Sequence, residues 1–257
     1  MGILNVTPDS FSDGGRFVDR ERALAHARQM VADGADVIDI GGESTRPGAA
    51  PVPVDAELER VVPLVEAMAH EGILVSVDTR KPAVMRAVLA AGAGMINDVR
   101  ALQAPGAIEA AATGHAAVCL MHMQGDPRTM QAEPRYDDVV TEVRDFLVQR
   151  ARCCEAAGIA RDRIVIDPGF GFGKSVVHNL ALLRSLGVFR DTGYAVLAGI
   201  SRKSTLGGIA GRNIDDRAAA SVAAALALVA RGAAIVRVHD VRETVDALNV
   251  WQAIETG

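Results

Sequence analysis

Residues 73–98 read ILVSVDTRKPAVMRAVLAAGAGMIND and contain every feature of one β–α–β unit. The short apolar run at Ile73–Val77 predicts a buried strand, and the amphipathic segment Pro82–Ala91 predicts a helix. Gly92 follows that helix, where glycine is typical because it accepts the left-handed conformation that closes many helices. A second apolar run at Gly94–Ile96 predicts the next strand. Strands that alternate with helices in this way predict a parallel sheet.

The same alternation extends along the whole chain. The predicted strands are Gly2–Val6, Asp36–Ile40, Ile73–Val77, Gly94–Ile96, Ala116–Met121, Arg163–Ile166, Ala195–Ile200 and Ala234–Val238. The predicted helices include Arg20–Asp33, Asp55–Glu71, Pro82–Ala91, Asp138–Ala157 and Arg217–Arg231, each followed by a glycine, at Gly34, Gly72, Gly92, Gly158 and Gly232. Eight β–α units fit a closed (β/α)8 TIM barrel, which typically has about 250 residues. We therefore expect a single α/β barrel domain over residues 1–257, with a doubly wound open sheet as the structural alternative.

Each predicted strand has a polar residue at or directly after its C-terminal end. In chain order these residues are Asn5, Asp39, Asp78, Asn97, His122, Asp167, Ser201 and His239. One polar strand end would be ordinary, because such residues also cap helices and begin turns. In a barrel, however, the C-terminal ends of all strands converge on the face where active sites are built. The series therefore predicts an active site at that face.

Composition argues against several classes of function. The formal net charge is −5, and no basic cluster suited to nucleic acid is present. The most apolar stretch, Ala218–Ala230, is shorter than the about 20 residues that span a bilayer, and no secretory signal pattern is visible. Cys119, Cys153 and Cys154 form no CxxC pair, which favours reduced thiols over a metal site. We expect a cytoplasmic protein that binds neither membrane nor nucleic acid.

Seven motifs resemble signatures of the dihydropteroate synthases, in that family's order. They are MGILNVTPDSFSDGG (1–15), DIGGESTRPG (39–48), VDTR (77–80), IND (96–98), DPGFGFGK (167–174), GISRKS (199–204) and RVHD (237–240). The resemblance implies a transferase of an alkyl group other than methyl. It would join 6-hydroxymethyl-7,8-dihydropterin pyrophosphate to p-aminobenzoate, giving 7,8-dihydropteroate and pyrophosphate in folate biosynthesis, with Mg²⁺ assisting.

The resemblance has further implications for partners and domain organisation. It implies inhibition by sulfonamides, which imitate p-aminobenzoate. The apolar Ala218–Ala230 helix also predicts a homodimer, because its Ala, Val and Leu surface exceeds what one buried face requires. Family members usually carry a segment before the first strand. Here the first predicted strand begins at Gly2, so we expect this domain to lack that N-terminal extension.

Three polar residues suit the edge of a pterin ring directly. Asp78, Asn97 and Asp167 offer carboxylate acceptors and a mixed donor–acceptor amide to an edge of N–H donors and ring nitrogens. The alternative is that they cap helices or turns. The resemblance assigns the pterin to Asp78, Asn97, Met121, Asp167 and Lys203, and it implies that Asp78, Asp167 and Lys203 are catalytic.

Arg237 and His239 lie two apart in a predicted strand and therefore point to the same side of it. Arginine binds phosphate in a bidentate manner, and the side-chain oxygen of Asn5 is a hard ligand suited to Mg²⁺. The alternative is a role in surface salt bridges. The resemblance assigns pyrophosphate to Asn5, Thr45, Arg46, Arg237 and His239, the metal to Asn5, and p-aminobenzoate to Phe11, Thr45, Pro47, Phe172, Ser201, Arg202 and Ser204.

Two loops are expected to close over the site and exclude water, namely Thr7–Gly15 and Gly41–Ala50. A third segment, Gly173-Lys174-Ser175, ends like a phosphate-binding P-loop, but Pro168 stands where that motif needs glycine. Pro168–Ser175 is therefore interpreted as a glycine-rich loop beside the pterin. Two other functions stay open: a pterin-binding methyltransferase barrel and an inactive pterin-binding relative.

Overall fold

A computed structural model describes residues 1–6, 15–44, 49–126 and 129–256. Eight parallel strands form one sheet in chain order. They are β1 (Gly2–Asn5), β2 (Ile38–Gly41), β3 (Val75–Asp78), β4 (Met95–Asp98), β5 (Ala117–Met121), β6 (Ile164–Asp167), β7 (Ala195–Ala198) and β8 (Ile235–Val236). A parallel bridge joins Gly2 to Val238, so the end of the sheet returns to β1. The predicted TIM barrel is thereby confirmed, and the open-sheet alternative is wrong.

Helices connect the strands around this barrel. They are α1 (Gly15–Ala32), α2 (Val54–His70), α3 (Pro82–Ala90), α4 (Ala107–Ala112), α5 (Val139–Ala156), α6 (Val176–Arg184), α7 (Leu186–Arg190), α8 (Ser204–Ala210), α9 (Ala218–Val229) and α10 (Val241–Thr256). The five helices named from sequence are all present, with the largest difference at α1, which begins at Gly15 rather than Arg20. None of the helices in the described part of the chain combines the length and the apolar character needed to cross a membrane.

Glycine ends the helices as the sequence predicted. Gly72 after α2 has φ +75° and Gly92 after α3 has φ +104°, both in the left-handed region. The Gly72 amide donates to the Ala69 carbonyl at 3.0 Å, and the Ile73 amide donates to the Met68 carbonyl at 3.0 Å. These bonds satisfy carbonyls that the helix itself leaves unpaired, and they turn the chain into the next strand.

The interior of the barrel is small and has two levels. A compact apolar cluster of Met95, Cys119, Val165 and Leu197 fills the lower level. Because side chains along a strand alternate between faces, the residues two positions further along β4 and β6 also point inward. Those residues are Asn97 and Asp167. The apolar lower level thus supports a polar upper level at the C-terminal opening.

Candidate active site

The sheet register brings the predicted pterin residues together at this upper level. Asp78 of β3 stands opposite Asn97 of β4, and Met121 of β5 stands opposite Asp167 of β6. All four side chains are buried. Buried carboxylates and an amide at the mouth of a barrel need polar partners, so this arrangement is suited to a polar, planar ligand.

His122 is the exception among the polar strand ends. It follows the inward-facing Met121, so its ring lies on the outer side of β5, 5.0 Å from the Phe146 ring between centroids. Burial lowers the pKa of His122 to about 3, and the charge of Lys174 acts in the same direction. His122 therefore lies at the same C-terminal end of the barrel as the other polar strand ends, but its side chain points outward, because a shift of one residue reverses the side of the strand.

A buried ion pair links β2 to β8. Arg237 Nε donates to Asp39 Oδ2 at 2.6 Å, and Asp39 has no exposed surface. Asn97 Nδ2 donates to the same oxygen at 3.2 Å, which orients its amide. Arg237 Nη2 also lies 3.6 Å from Asp78 Oδ2. Asp39 therefore positions two predicted binding residues, Arg237 for the pyrophosphate and Asn97 for the pterin.

Two carboxylates share one guanidinium in this cluster. Burial, together with the neighbouring Asp39 charge, raises the pKa of Asp78 to about 8, and Arg237 opposes the rise. Because Arg237 makes its closer contact with Asp39, it offsets only part of this rise in the pKa of Asp78.

Asn97 and Asp98 are adjacent but have different roles. Asn97 points into the barrel, whereas Asp98 accepts hydrogen bonds from the Arg100 and Leu102 amides, both at 2.8 Å. Asp98 thus holds the turn after β4, where Leu102 has φ +55°. The turn-capping alternative applies to Asp98 and not to its neighbour.

The other side of the opening is formed by Asp167 and Lys203. Asp167 Oδ1 accepts the Gly169 amide at 2.7 Å. Burial raises the pKa of Asp167, and Lys203 opposes the rise. Burial lowers the pKa of Lys203 to about 8, with Asp167 opposing, so the lysine stays cationic at neutral pH. Its Nζ lies 4.5 Å from the centroid of the Phe172 ring.

Ser201 and His239 form a hydrogen-bonded pair. Ser201 Oγ accepts the His239 amide at 3.1 Å and lies 3.1 Å from His239 Nδ1. When the Ser201 hydroxyl donates to Nδ1, the neutral imidazole carries its own proton on Nε2. Burial lowers the pKa of His239 to about 4, helped by Arg237 and Arg202, so this histidine is a neutral donor at pH 7.

Arg202 and Ser204 occupy the loop and helix start after β7. The Arg202 guanidinium forms a two-bond ion pair with Asp240, one bond being Nε to Oδ2 at 3.0 Å. Ser204 begins α8 and is exposed. Their assignment to p-aminobenzoate stays a prediction, and in the free protein the Arg202 guanidinium is held by Asp240, just before α10.

The sequence of this chain matches a known protein family over nearly its whole length. The family model described as pterin binding enzyme matches residues 1–239. Dihydropteroate synthase of Escherichia coli K12 is 51% identical over 98% of this chain and 90% of its own length, and that of Haemophilus influenzae is 52% identical over 98% and 92%. This chain belongs to the dihydropteroate synthases.

Solved structures of dihydropteroate synthases have the same fold as this chain. A Yersinia pestis dihydropteroate synthase in complex with a sulfonamide drug has a TM-score of 0.95 and 50% identity, covering 100% of this chain and 94% of that one. A Burkholderia cenocepacia dihydropteroate synthase complexed with 7,8-dihydropteroate has a TM-score of 0.91 and 56% identity, covering 100% and 91%. The fold and the family predicted from sequence are confirmed.

Four residues predicted from the dihydropteroate synthase motifs lie outside the described residues: Phe11, Thr45, Arg46 and Pro47. The described flanks of the second loop are anchored. Lys81 forms ion pairs with Glu43 and Glu57, and its Nζ donates to the Val52 carbonyl at 2.7 Å. Glu43 also pairs with Arg80 at 2.8 Å. These contacts tie both ends of the loop to helices α2 and α3.

Asp39 is the site residue that sequence reasoning missed in this dihydropteroate synthase. It was recognised only as a polar strand end. Its signal was the Asp39-x-Gly41 spacing, which places Asp39 on the same inward face as the site. A carboxylate facing a barrel interior requires a buried cation, and that cation, Arg237, is 198 residues away in sequence.

The residues present fit Mg²⁺ as an ion shared with the substrate. The described residues contain no group of three or more His, Cys, Asp or Glu side chains that could hold a metal. Asn5 offers one hard oxygen, placed beside Gly41, where an added Cβ would lie 3.4 Å from Asn5 Oδ1. Mg²⁺ commonly binds through one or two protein oxygens plus substrate phosphates. Asn5 is suited to that role in a dihydropteroate synthase.

Proposed function

We propose that this chain condenses 6-hydroxymethyl-7,8-dihydropterin pyrophosphate with p-aminobenzoate to give 7,8-dihydropteroate and pyrophosphate. One observation carries the assignment to this geometry: the Arg237 guanidinium lies 3.6 Å from the Asp78 carboxylate. The predicted pterin set and the predicted anion set are therefore contiguous. A single substrate that carries both a pterin and a pyrophosphate fits this arrangement.

Pyrophosphate release measured with both substrates, and with each one omitted, tests the function. We expect rapid release only when the pterin pyrophosphate and p-aminobenzoate are both present. A protein that binds pterin without any release would instead be the inactive relative. The methyltransferase alternative is set aside, because the relatives compared above are named dihydropteroate synthases.

The reaction breaks the C–O bond between the pterin methylene and pyrophosphate and forms a C–N bond to p-aminobenzoate. The C–O electron pair leaves with pyrophosphate, and the aniline nitrogen loses a proton. Arg237 and the neutral Nε2–H of His239 are placed to stabilise the leaving charge. Asp167, beside Lys203, is placed to orient the pterin and to stabilise positive charge on it.

Asn5 is the residue that would hold Mg²⁺ in this proposal. When bound, the ion neutralises charge on the pyrophosphate and so improves it as a leaving group. The structural support is the single hard oxygen of Asn5 next to the barrel opening that contains Arg237.

The p-aminobenzoate end is proposed to lie over Phe172 and the segment Ser201–Ser204. Phe172 is half-buried under Lys203 at the same opening. Sulfonamides would compete there, in keeping with the Yersinia pestis dihydropteroate synthase structure, which is a sulfonamide complex.

Pterin binding is expected to depend on pH through Asp78. A protonated Asp78, with its pKa raised to about 8, must lose its proton before both of its oxygens can accept from pterin N–H groups. Below pH 8 pterin affinity should therefore rise with pH, by about tenfold for each unit. Calorimetry of 6-hydroxymethyl-7,8-dihydropterin in buffers of different ionisation enthalpy should show proton release at pH 7.

Asp78→Asn is the matched control, because the amide cannot titrate. It should abolish both the proton release and the slope of affinity with pH. Pterin binding to the unmodified protein without proton release would show that Asp78 acts as a neutral donor instead.

A homodimer through α9 and α10 is the proposed assembly. On α9 the residues Ser221, Ala224, Ala225 and Leu228 are buried, and α10 packs against this helix. Val250 and Ile254, one turn apart on α10, are 61% and 73% exposed. Exposed apolar residues in a continuous patch are typical of an interface.

Val250→Glu with Ile254→Glu should convert the dimer into a monomer, because it places two charges in an apolar contact. Sedimentation equilibrium at micromolar concentration measures this. The control is Val177→Glu on α6, where the valine is 73% exposed and the dimer should persist. A monomer for the unmodified protein would refute the assembly.

A cytosolic location completes the proposal. Cys119, Cys153 and Cys154 are all free thiols, as is usual in a reducing compartment. Fractionation of the source cells would test it.

A further inference from the structure

We propose that Lys174 is a positioning residue for the pterin end of the site. Its ammonium holds the Gly169–Phe172 turn in the shape that places Lys203 and Phe172 beside the pterin. This inference rests on the proposed function, since it concerns the same substrate. It also gives a role to the lysine of the false P-loop motif.

Lys174 is the one fully buried lysine among the three in the described residues, with 2% exposure. Its Nζ lies 2.9 Å from His122 Nδ1 and within 3.0–3.2 Å of three carbonyls, those of His122, Gly169 and Phe172. An ammonium has three N–H donors, and these acceptors use all of them. Solvent is thereby replaced by a fixed set of backbone oxygens.

The turn that Lys174 holds is tightly packed on the segment that follows β5. Gly169 has φ +70°, and an added Cβ there would lie 2.0 Å from the His122 carbonyl oxygen. Gly173 has φ +65°, and an added Cβ would lie 2.5 Å from the Gln124 carbonyl oxygen. The turn therefore brings carbonyls of the segment after β5 and of its own backbone close together, and the N–H donors of Lys174 offset their repulsion.

The same turn contacts the pterin residues from its other side. Lys203 Nζ donates to the Phe170 carbonyl and lies 4.5 Å from the Phe172 ring centroid. The Gly169 amide donates to Asp167 at 2.7 Å. Displacement of this turn would therefore move the partners of both Lys203 and Asp167.

Stability alone is a weak reason for a charge at this position. Burial disfavours the charged form of Lys174, with only Asp167 acting in its favour among the neighbouring charges. Well-packed apolar residues can replace buried ion pairs at little or no cost in stability. We therefore attribute the role of Lys174 to the backbone geometry that it fixes.

Lys174→Met tests the inference against Arg163→Met as a matched control. Arg163 also donates two bonds to a backbone carbonyl, that of Ala116, at 3.0 and 2.6 Å, but at the opposite end of β6. We expect Lys174→Met to raise the KM for the pterin pyrophosphate and the Kd for 6-hydroxymethyl-7,8-dihydropterin by about tenfold or more. Binding of inorganic pyrophosphate should stay unchanged, and Arg163→Met should change none of these.

A double-mutant cycle with Lys203→Met separates positioning from general stability. If Lys174 acts through Lys203, its loss should have little further effect on pterin binding once Lys203 is removed. Fully additive effects, or an unchanged pterin Kd in Lys174→Met, would overturn the inference. If the methionine variant does not fold, Lys174→Gln keeps two donors and should give a smaller increase in the same Kd.

The Kd for free pterin can be measured without turnover, so this test does not depend on the proposed function. An unmodified protein that binds pterin but releases no pyrophosphate would refute the proposed function, while the Kd comparison would still decide the role of Lys174. Normal turnover together with normal pterin binding in Lys174→Met would refute the positioning role alone.

Discussion

Arg237→Met should nearly abolish binding of inorganic pyrophosphate and should lower the free energy of unfolding by about 3–5 kcal/mol. The stability loss follows because Asp39, with no exposed surface, loses the cation that donates to it at 2.6 Å. Removing one partner of a buried pair leaves the other charge uncompensated. Chemical denaturation and calorimetry with pyrophosphate measure the two effects separately.

Asp39→Asn in the Arg237→Met background is the control that separates them. It removes the uncompensated charge, so stability should recover while pyrophosphate binding should not. Binding of free 6-hydroxymethyl-7,8-dihydropterin should fall much less in Arg237→Met than binding of its pyrophosphate. Equal losses for both ligands would contradict the assignment of Arg237 to the anion end.

The barrel was predictable because its evidence is local. Helix and strand periods, glycine at helix ends and polar strand ends are each contained within one β–α unit, as in residues 73–98. The ends of β7 and β8 were less accurate: β7 ends at Ala198 and β8 at Val236, both two residues before the predicted ends. Only the local ladder of hydrogen bonds decides where a strand ends.

The site was only partly predictable because its contacts are long-range. Barrel closure brings β8 next to β1 and lets Arg237 reach Asp39, which no local pattern indicates. The Ser201–His239 pair and the Arg202–Asp240 pair likewise depend on how the ends of β7 and β8 meet. The outward direction of His122, by contrast, depends on local geometry, since a shift of one residue along a strand reverses the direction of a side chain.

Asp167→Asn should lower kcat by about 10²–10³-fold, equivalent to about 2.7–4 kcal/mol of barrier, as for loss of a charge-stabilising group in other enzymes. The reason is a reaction led by departure of pyrophosphate, which leaves positive charge on the methylene and the dihydropterin ring. Attack-led displacement would rely on the weakly nucleophilic aniline nitrogen and would gain from a nearby base. The Ser201–His239 pair is a poor one, because the pKa of His239 is lowered to about 4.

Incubation with the pterin pyrophosphate and Mg²⁺, without p-aminobenzoate, distinguishes the two orders of events. If departure leads, pyrophosphate should be lost slowly at the site and a dehydrated pterin species should be trapped there, with Asp167→Asn slowing that loss by a factor similar to its effect on kcat. Lys203→Met, which alters pterin binding without removing the carboxylate, should mainly raise KM. A pterin pyrophosphate that stays intact over long incubation would favour displacement led by attack, and Asp78 and Asp167 would then serve to position the ring.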